Sequence, residues 1–136
     1  MNGHRHERGL LDTSVVVDLD VVSLRELPEQ LAISALTVAE LTAGPHATDD
    51  ADERARRQAV LQRTEMTFDP LPFDRVAAQC YGQVYAGVRA LGRKARGRRA
   101  VDLLIAAVAL SHQLPLYTRN PDDFVGLERL IDVVRV

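Results

Sequence analysis

Val101-Asp102-Leu103-Leu104-Ile105-Ala106-Ala107-Val108-Ala109-Leu110, followed at a short distance by Leu114-Pro115-Leu116-Tyr117-Thr118, is the stretch that decides the fold. From Val101 to His112 the chain is apolar nearly all round, the pattern of a helix buried on most of its sides. Leu114 to Thr118 is a short apolar run bounded by turn residues, which reads as a strand. A helix covered on most sides and joined directly to a buried strand belongs to a sheet with helices on both faces. Downstream, Ile131 to Val136 reads as one more strand.

The same alternation extends upstream. Leu10 to Asp12 reads as a short buried strand, and Val15 to Leu19 as a helix, because a longer strand would leave Asp12 inside the ladder. Gln30 to Ser34 alternates as a second strand. A short helix is expected from about Val38 to Ala43, stopped by Gly44-Pro45. Asp49, Asp50, Asp52 and Glu53 lead into Arg54, Arg56 and Arg57, a charge order that suits a helix dipole and predicts a helix to about Met66. Its apolar stripe of Ala55, Ala59 and Val60, with Met66 a further candidate, is thin. Phe68 to Pro72, with two prolines, can only be an edge strand or an extended link. Asp74 is placed to cap a long helix to about Leu91, with Val76, Ala77, Cys80, Val84, Val88 and Leu91 on one face. Gly92 to Arg99 reads as a basic turn.

The 136 residues suffice for one core. Residues 1–8 read as a polar tail without fixed structure and 9–136 as a single domain. No run of eighteen apolar residues exists to span a membrane, and the polar N-terminus lacks the apolar segment of a secretory signal. A lone Cys80 cannot form an internal disulfide, which fits the cytoplasm. The net charge of −2 argues against a surface that binds nucleic acid everywhere and leaves only a local patch for that role.

Four acids fall where apolar elements meet turns: Asp12, Glu40, Asp102 and Asp123. Buried carboxylates are costly unless paired or bound to a cation, and these four lack four matching bases, which indicates a divalent-metal site. In an open parallel sheet, ligands bind beyond the carboxyl ends of the strands. Asp12 and the Thr118–Asp123 segment follow strands, while Glu40 and Asp102 are expected in the first turns of helices. An all-oxygen donor set suits Mg²⁺ or Mn²⁺, whereas zinc would want Cys or His at close spacing. His4 and His6 stand on the tail, and His46, His112 and Cys80 read as structural.

Each acid also has a plainer reading. Asp12 would cap a helix starting near Thr13. Thr37-x-x-Glu40 has the form of a capping box. Asp102 has no basic partner three or four residues on, but Arg98 and Arg99 lie just upstream. Asn120-Pro121-Asp122-Asp123 could be a simple turn, so Asn120, Asp122 and Asp123 all compete for the fourth position, with Asp123 named first and Asn120 a further candidate ligand. Thr13, Ser14 and Thr118 would orient the carboxylates. Arg93, Lys94, Arg96, Arg98 and Arg99, with Arg89 before them, form the one dense basic run, either a solvated loop or a grip on phosphates.

Leu11-Asp12-Thr13-Ser14, Thr37-Val38-Ala39-Glu40-Leu41, Asp102-Leu103-Leu104-Ile105-Ala106-Ala107 and Thr118-Arg119-Asn120-Pro121-Asp122-Asp123-Phe124, in that order, resemble the PIN-domain ribonucleases, and more narrowly the VapC toxins of VapBC toxin–antitoxin pairs. The resemblance runs from about Gly9 to the C-terminus. It implies a three-layer α/β/α domain with a parallel central sheet, and an endoribonuclease using Mg²⁺ or Mn²⁺. It further implies cleavage of tRNA or ribosomal RNA loops to leave a 5′-phosphate and a 3′-hydroxyl, a VapB-type antitoxin partner, and a homodimer. Two rivals stand beside it. Val17-Asp18-Leu19-Asp20 fits the aspartate pair of haloacid-dehalogenase-type phosphatases, a chemistry that needs a strand ending at Asp18 and a downstream lysine, for which only Lys94 is on hand. The other rival is a PIN-like scaffold that binds RNA or protein without cutting.

Overall fold

The computed structural model describes residues 6–93 and 97–136, with the backbone alone at Arg98. Strand β1 (Arg8–Leu11) leads into a single helical turn, α1 (Thr13–Val16), and strand β2 (Gln30–Ala32) into α2 (Ala35–Ala43). Helices α3 (Ala51–Thr67), α4 (Arg75–Arg89) and α5 (Arg98–Ser111) follow, then β3 (Leu116–Thr118) and β4 (Val133–Arg135). Among the described residues the strands form one parallel sheet in the order β2-β1-β3-β4. The expected α/β architecture is therefore present.

Alternation along each strand builds the layers. Leu10, Leu116 and Val133 face one apolar cluster, formed with Ala77, Val84 and Val88 of α4 and with the inner face of α5. Their neighbours Leu11, Tyr117 and Val134 face the opposite cluster, with Val15, Val16, Leu41 and Leu61. Leu10, Leu11, Leu116 and Tyr117 are all essentially inaccessible. Two helical layers thus sandwich the sheet, α4 and α5 on one side and α1, α2 and α3 on the other.

Several boundaries depart from expectation for local reasons. Residues 1–5 of the expected tail lie outside the described residues, whereas His6 to Arg8 are tied down: Arg8 opens β1, Glu29 N–H donates to the His6 carbonyl, and the His6 ring bonds Asp132 at 2.9 Å. Helix α2 starts three residues earlier than expected because the Ser34 hydroxyl accepts the Thr37 N–H and caps it there. Helix α5 starts at Arg98, directly after Gly97 turns the chain at a φ of 57°. Val76 and Leu91, expected on the buried face of α4, are each 52% exposed, and neither joins the cluster that Ala77, Val84 and Val88 share with α5. Asp18 lies in turns after α1, its N–H bonded to the Val15 carbonyl, and not at a strand end. The phosphatase reading of Asp18 and Asp20 fails on that point. Among the described residues, no helix is long and apolar enough to cross a membrane.

Two glycines permit close packing. A Cβ on Gly9 would sit 2.5 Å from Tyr117 Cε1 and 2.9 Å from Pro28 Cγ. Gly87 of α4 lies against the backbone of Gly126, whose carbonyl would be 2.9 Å from an added Cβ. The Tyr117 ring is enclosed and cannot swing aside. Gly9→Ala should therefore destabilise the protein by about 1–3 kcal/mol through overpacking. Urea unfolding should show this as a lowered midpoint with an unchanged slope.

Candidate active site

The chain leaves β1 toward β2 on one side and returns to place β3 on the other, so the topology switches between β1 and β3. The carboxyl ends of these two strands part there and open a crevice, where ligands of open parallel sheets bind. Asp12 stands at that point, held by its own N–H donating to the Tyr117 carbonyl at 3.0 Å.

Asp12 is 4% exposed. Its carboxylate accepts the Ser14 hydroxyl at 2.5 Å, the Val15 N–H at 3.3 Å, and the Thr118 hydroxyl. It caps α1 as expected, and every one of these donors is neutral. Burial, the dominant influence, pushes its pKa above the usual carboxylate range, and the hydrogen bonds offset this only in part. Among the described residues no base forms an ion pair with it.

The next residue reaches a second acid. Thr13 Oγ1 donates to Glu40 Oε1 at 2.5 Å and lies 3.0 Å from Thr37 Oγ1. Glu40 is the sixth residue of α2, beyond reach of the cap. The capping-box reading is replaced: Ser34 does the capping, and Thr37 and Glu40, three residues apart on one helix face, turn toward Thr13. Asp102 is the fifth residue of α5, half-buried, likewise in a second turn and not a first. Asp123 lies in the short 3₁₀ turn Pro121–Phe124, its N–H bonded to the Asn120 carbonyl. Helix α5 packs against both α2 and this turn.

The structure thus bonds Asp12 to Ser14 and Thr118, bonds Glu40 to Thr13, the residue after Asp12, and sets Asp102 and Asp123 on neighbouring elements. Among the described residues, no three carboxylate, histidine or cysteine side chains converge closely enough to hold an ion by themselves. The donor chemistry nonetheless suits a hard cation: a buried carboxylate with only neutral donors, beside a second carboxylate oriented by a hydroxyl.

Of the basic run, Lys94, Arg96 and the Arg98 side chain lie outside the described residues. Arg93 Nη1 donates to the Asp122 carbonyl at 2.9 Å, and Arg99 Nη1 is enclosed without a hydrogen-bond partner. Thr37 was read from the sequence only as a cap, and Arg119 was given no role there. Thr37 carried a signal in its three-residue spacing from Glu40, and Arg119 one only in lying next to Thr118. A cleft of about 440 Å³ opens beside the site, lined by Thr13, Asp18, Glu40, Arg56 and Arg57 among others.

The raised pKa of Asp12 fixes the sign of a pH effect. A folded-state carboxyl that binds its proton more tightly than in the unfolded chain loses stability as pH rises from about 3.9 through its folded value. Asp12→Asn keeps an equally good cap and removes that penalty. In chelator, the variant should melt above the parent at neutral pH, and the gap should close as pH falls toward about 3.9. A gap independent of pH across calorimetric scans would contradict this account.

The PIN domain family matches residues 9–130, a span that includes all four acids. Ribonuclease VapC5 of Mycobacterium tuberculosis is 36% identical over 135 residues, covering 94% of this chain and 95% of that protein. Ribonuclease VapC1 of Rickettsia felis is 27% identical over 128 residues, with 89% and 91% covered. Among solved structures, VapBC-5 of Mycobacterium tuberculosis, a member of the VapBC family of toxin-antitoxin systems, superposes with a TM-score of 0.80 at 34% identity, covering 96% of this chain and 99% of that one. FitAcB from Neisseria gonorrhoeae gives a TM-score of 0.69 at 27% identity, with 93% and 96% covered. With the family match spanning most of the chain and relatives of this identity covered almost end to end, this chain belongs to the PIN-domain family, among the VapC ribonucleases.

Proposed function

We propose that the protein is the toxin of a VapBC-type pair, a Mg²⁺-dependent endoribonuclease that cuts structured RNA, in tRNA or ribosomal loops, and so halts translation in the cytoplasm. The observation that carries this reading is Asp12, buried at the switch point among neutral donors, with Glu40 brought alongside through Thr13. Asp12, Glu40, Asp102 and Asp123, with Asn120 a further candidate, would hold the metal, and Mn²⁺ would substitute for Mg²⁺. When bound, such an ion supplies positive charge against the charge developing on a phosphodiester and makes water more acidic.

The chain's own residues have separate tasks. Ser14 and Thr118 fix the orientation of the Asp12 carboxylate, and Thr13 fixes that of Glu40. Held this way, the two acids need no reorganisation when substrate arrives, which is the condition for effective electrostatic catalysis. Arg93, Lys94, Arg96, Arg98 and Arg99 would draw the RNA backbone toward the site. Cleavage would leave a 5′-phosphate and a 3′-hydroxyl.

Restraint would come from a VapB-type antitoxin. Val17, Val21 and Leu24, after β1, are 39%, 72% and 72% exposed, and Val17 lines the cleft that reaches Glu40. An apolar antitoxin segment over this strip could send an arginine toward the acids. On α4 the exposed Val76 and Tyr85, with Leu91 just beyond its end, support that helix as the homodimer face.

Cleavage of tRNA and ribosomal RNA should vanish in EDTA and return with Mg²⁺ or Mn²⁺ but not with Ca²⁺, whose looser geometry fits poorly. Asp12→Asn and Asp102→Asn should each lower the rate by about 10²–10³-fold with the fold intact, the scale of losing one group that stabilises developing charge. Full activity in either variant would remove the site assignment. Metal binding without cleavage of any RNA would favour the scaffold instead. Expressed with the gene encoded beside it, the protein should purify as a complex without nuclease activity.

A further inference from the structure

We propose that Arg119 is an RNA-phosphate-binding residue of this site and that Asp18 holds its guanidinium in waiting until an RNA phosphate takes the carboxylate's place. The inference rests on the ribonuclease reading above and adds to it a residue outside the acid set and outside the basic run.

Arg119 is the first residue after β3, at the switch point itself. Its N–H donates to Ser14 Oγ at 3.0 Å, and that hydroxyl donates to Asp12 Oδ1 at 2.5 Å. The backbone of Arg119 is thereby separated from the buried carboxylate by a single hydroxyl group. Its side chain extends across the crevice to Asp18, with Nη1 3.0 Å from Oδ2. Asp18 lines the same cleft as Thr13 and Glu40. The guanidinium is therefore held at the mouth, between the end of β3 and the cleft that Glu40 enters.

The pair is poised for exchange. The two side chains are 38% and 48% exposed, and exposed pairs are weak and screened by salt. Only Nη1 is engaged; among the described residues Nε and Nη2 have no protein partner. A planar guanidinium with two donors to spare matches the paired oxygens of a phosphate better than it matches one carboxylate oxygen. The acids around it supply a physical need for such a group. A polyanion approaching Asp12 and Glu40 meets like charge, and a base anchored next to Asp12 offsets it where the backbone must come closest.

The test measures binding separately from cleavage. Fluorescently labelled bulk tRNA is titrated with the isolated protein in EDTA across a salt series, and cleavage is assayed in parallel with Mg²⁺. Arg119→Ala should weaken binding roughly tenfold and make the logarithmic salt slope shallower by about one. Arg119→Lys should restore the slope and part of the affinity. Asp18→Asn should tighten binding, and by more than Asp20→Asn, because only Asp18 competes for the guanidinium. A clasp that merely pins the loop predicts the opposite pattern: Arg119→Ala and Asp18→Asn alike in effect, with the slope unchanged. That result, or an Arg119→Ala protein that binds like the parent, overturns the proposal while leaving the nuclease reading intact. A parent protein that neither binds nor cuts RNA overturns both.

Discussion

Everything in this domain depends on β1 lying in the middle of the sheet with no face to spare. Its short ladder pairs with β2 on one edge and β3 on the other, and its last two side chains point into opposite cores. Both neighbours and both helical layers therefore take their positions from Leu10 and Leu11. The chain has one place to put a polar group next, which is beyond the carboxyl end, and Asp12 is there. Its N–H still completes the pairing with β3, so the acid inherits the rigidity of the ladder while standing at the rim of the crevice.

That placement costs stability. A buried carboxylate whose donors are all neutral costs free energy, and a second acid drawn in through Thr13 adds to the cost. The hydroxyls of Ser14 and Thr118 and the amide of Val15 reduce the penalty without cancelling it, as the raised proton affinity of Asp12 records. The same cap that starts α1 also restricts the carboxylate to one rotamer. A single residue thus ends a strand, starts a helix and carries charge. This is why substitution with asparagine, which preserves the first two roles, isolates the third.

The fold was legible because its signals were long and redundant. The all-round apolarity of α5 and the two-residue alternation of the strands allow few architectures other than a sheet covered on both faces. Asp12 was legible for the same reason, at the end of an apolar strand, whereas Glu40 and Asp102 were expected in first helical turns and stand in second ones. Cap identity was not legible. Ser34 and Thr37 are both competent caps, and the choice falls to Ser34 because Thr37 is turned inward to meet Thr13, a contact made across 24 residues of chain. The outward turn of Val76 and Leu91 was equally hidden. A helix face is defined by what packs on it, and the cluster shared with α5 takes in Ala77, Cys80, Tyr81, Val84 and Val88 but neither Val76 nor Leu91. Arg119 was hidden as well, since its partners Ser14 and Asp18 are about a hundred residues away along the chain.

The close approach of Gly87 and Gly126 has a mechanical consequence. There, α4 and the loop before β4 meet backbone to backbone, and Arg93 joins the same partners again through the Asp122 carbonyl. Two fastenings, one without side chains and one charged, join the end of α4 to the segment bearing Asp123. A contact between two backbones has no rotamers to repack, so neither glycine leaves room for a side chain at this join.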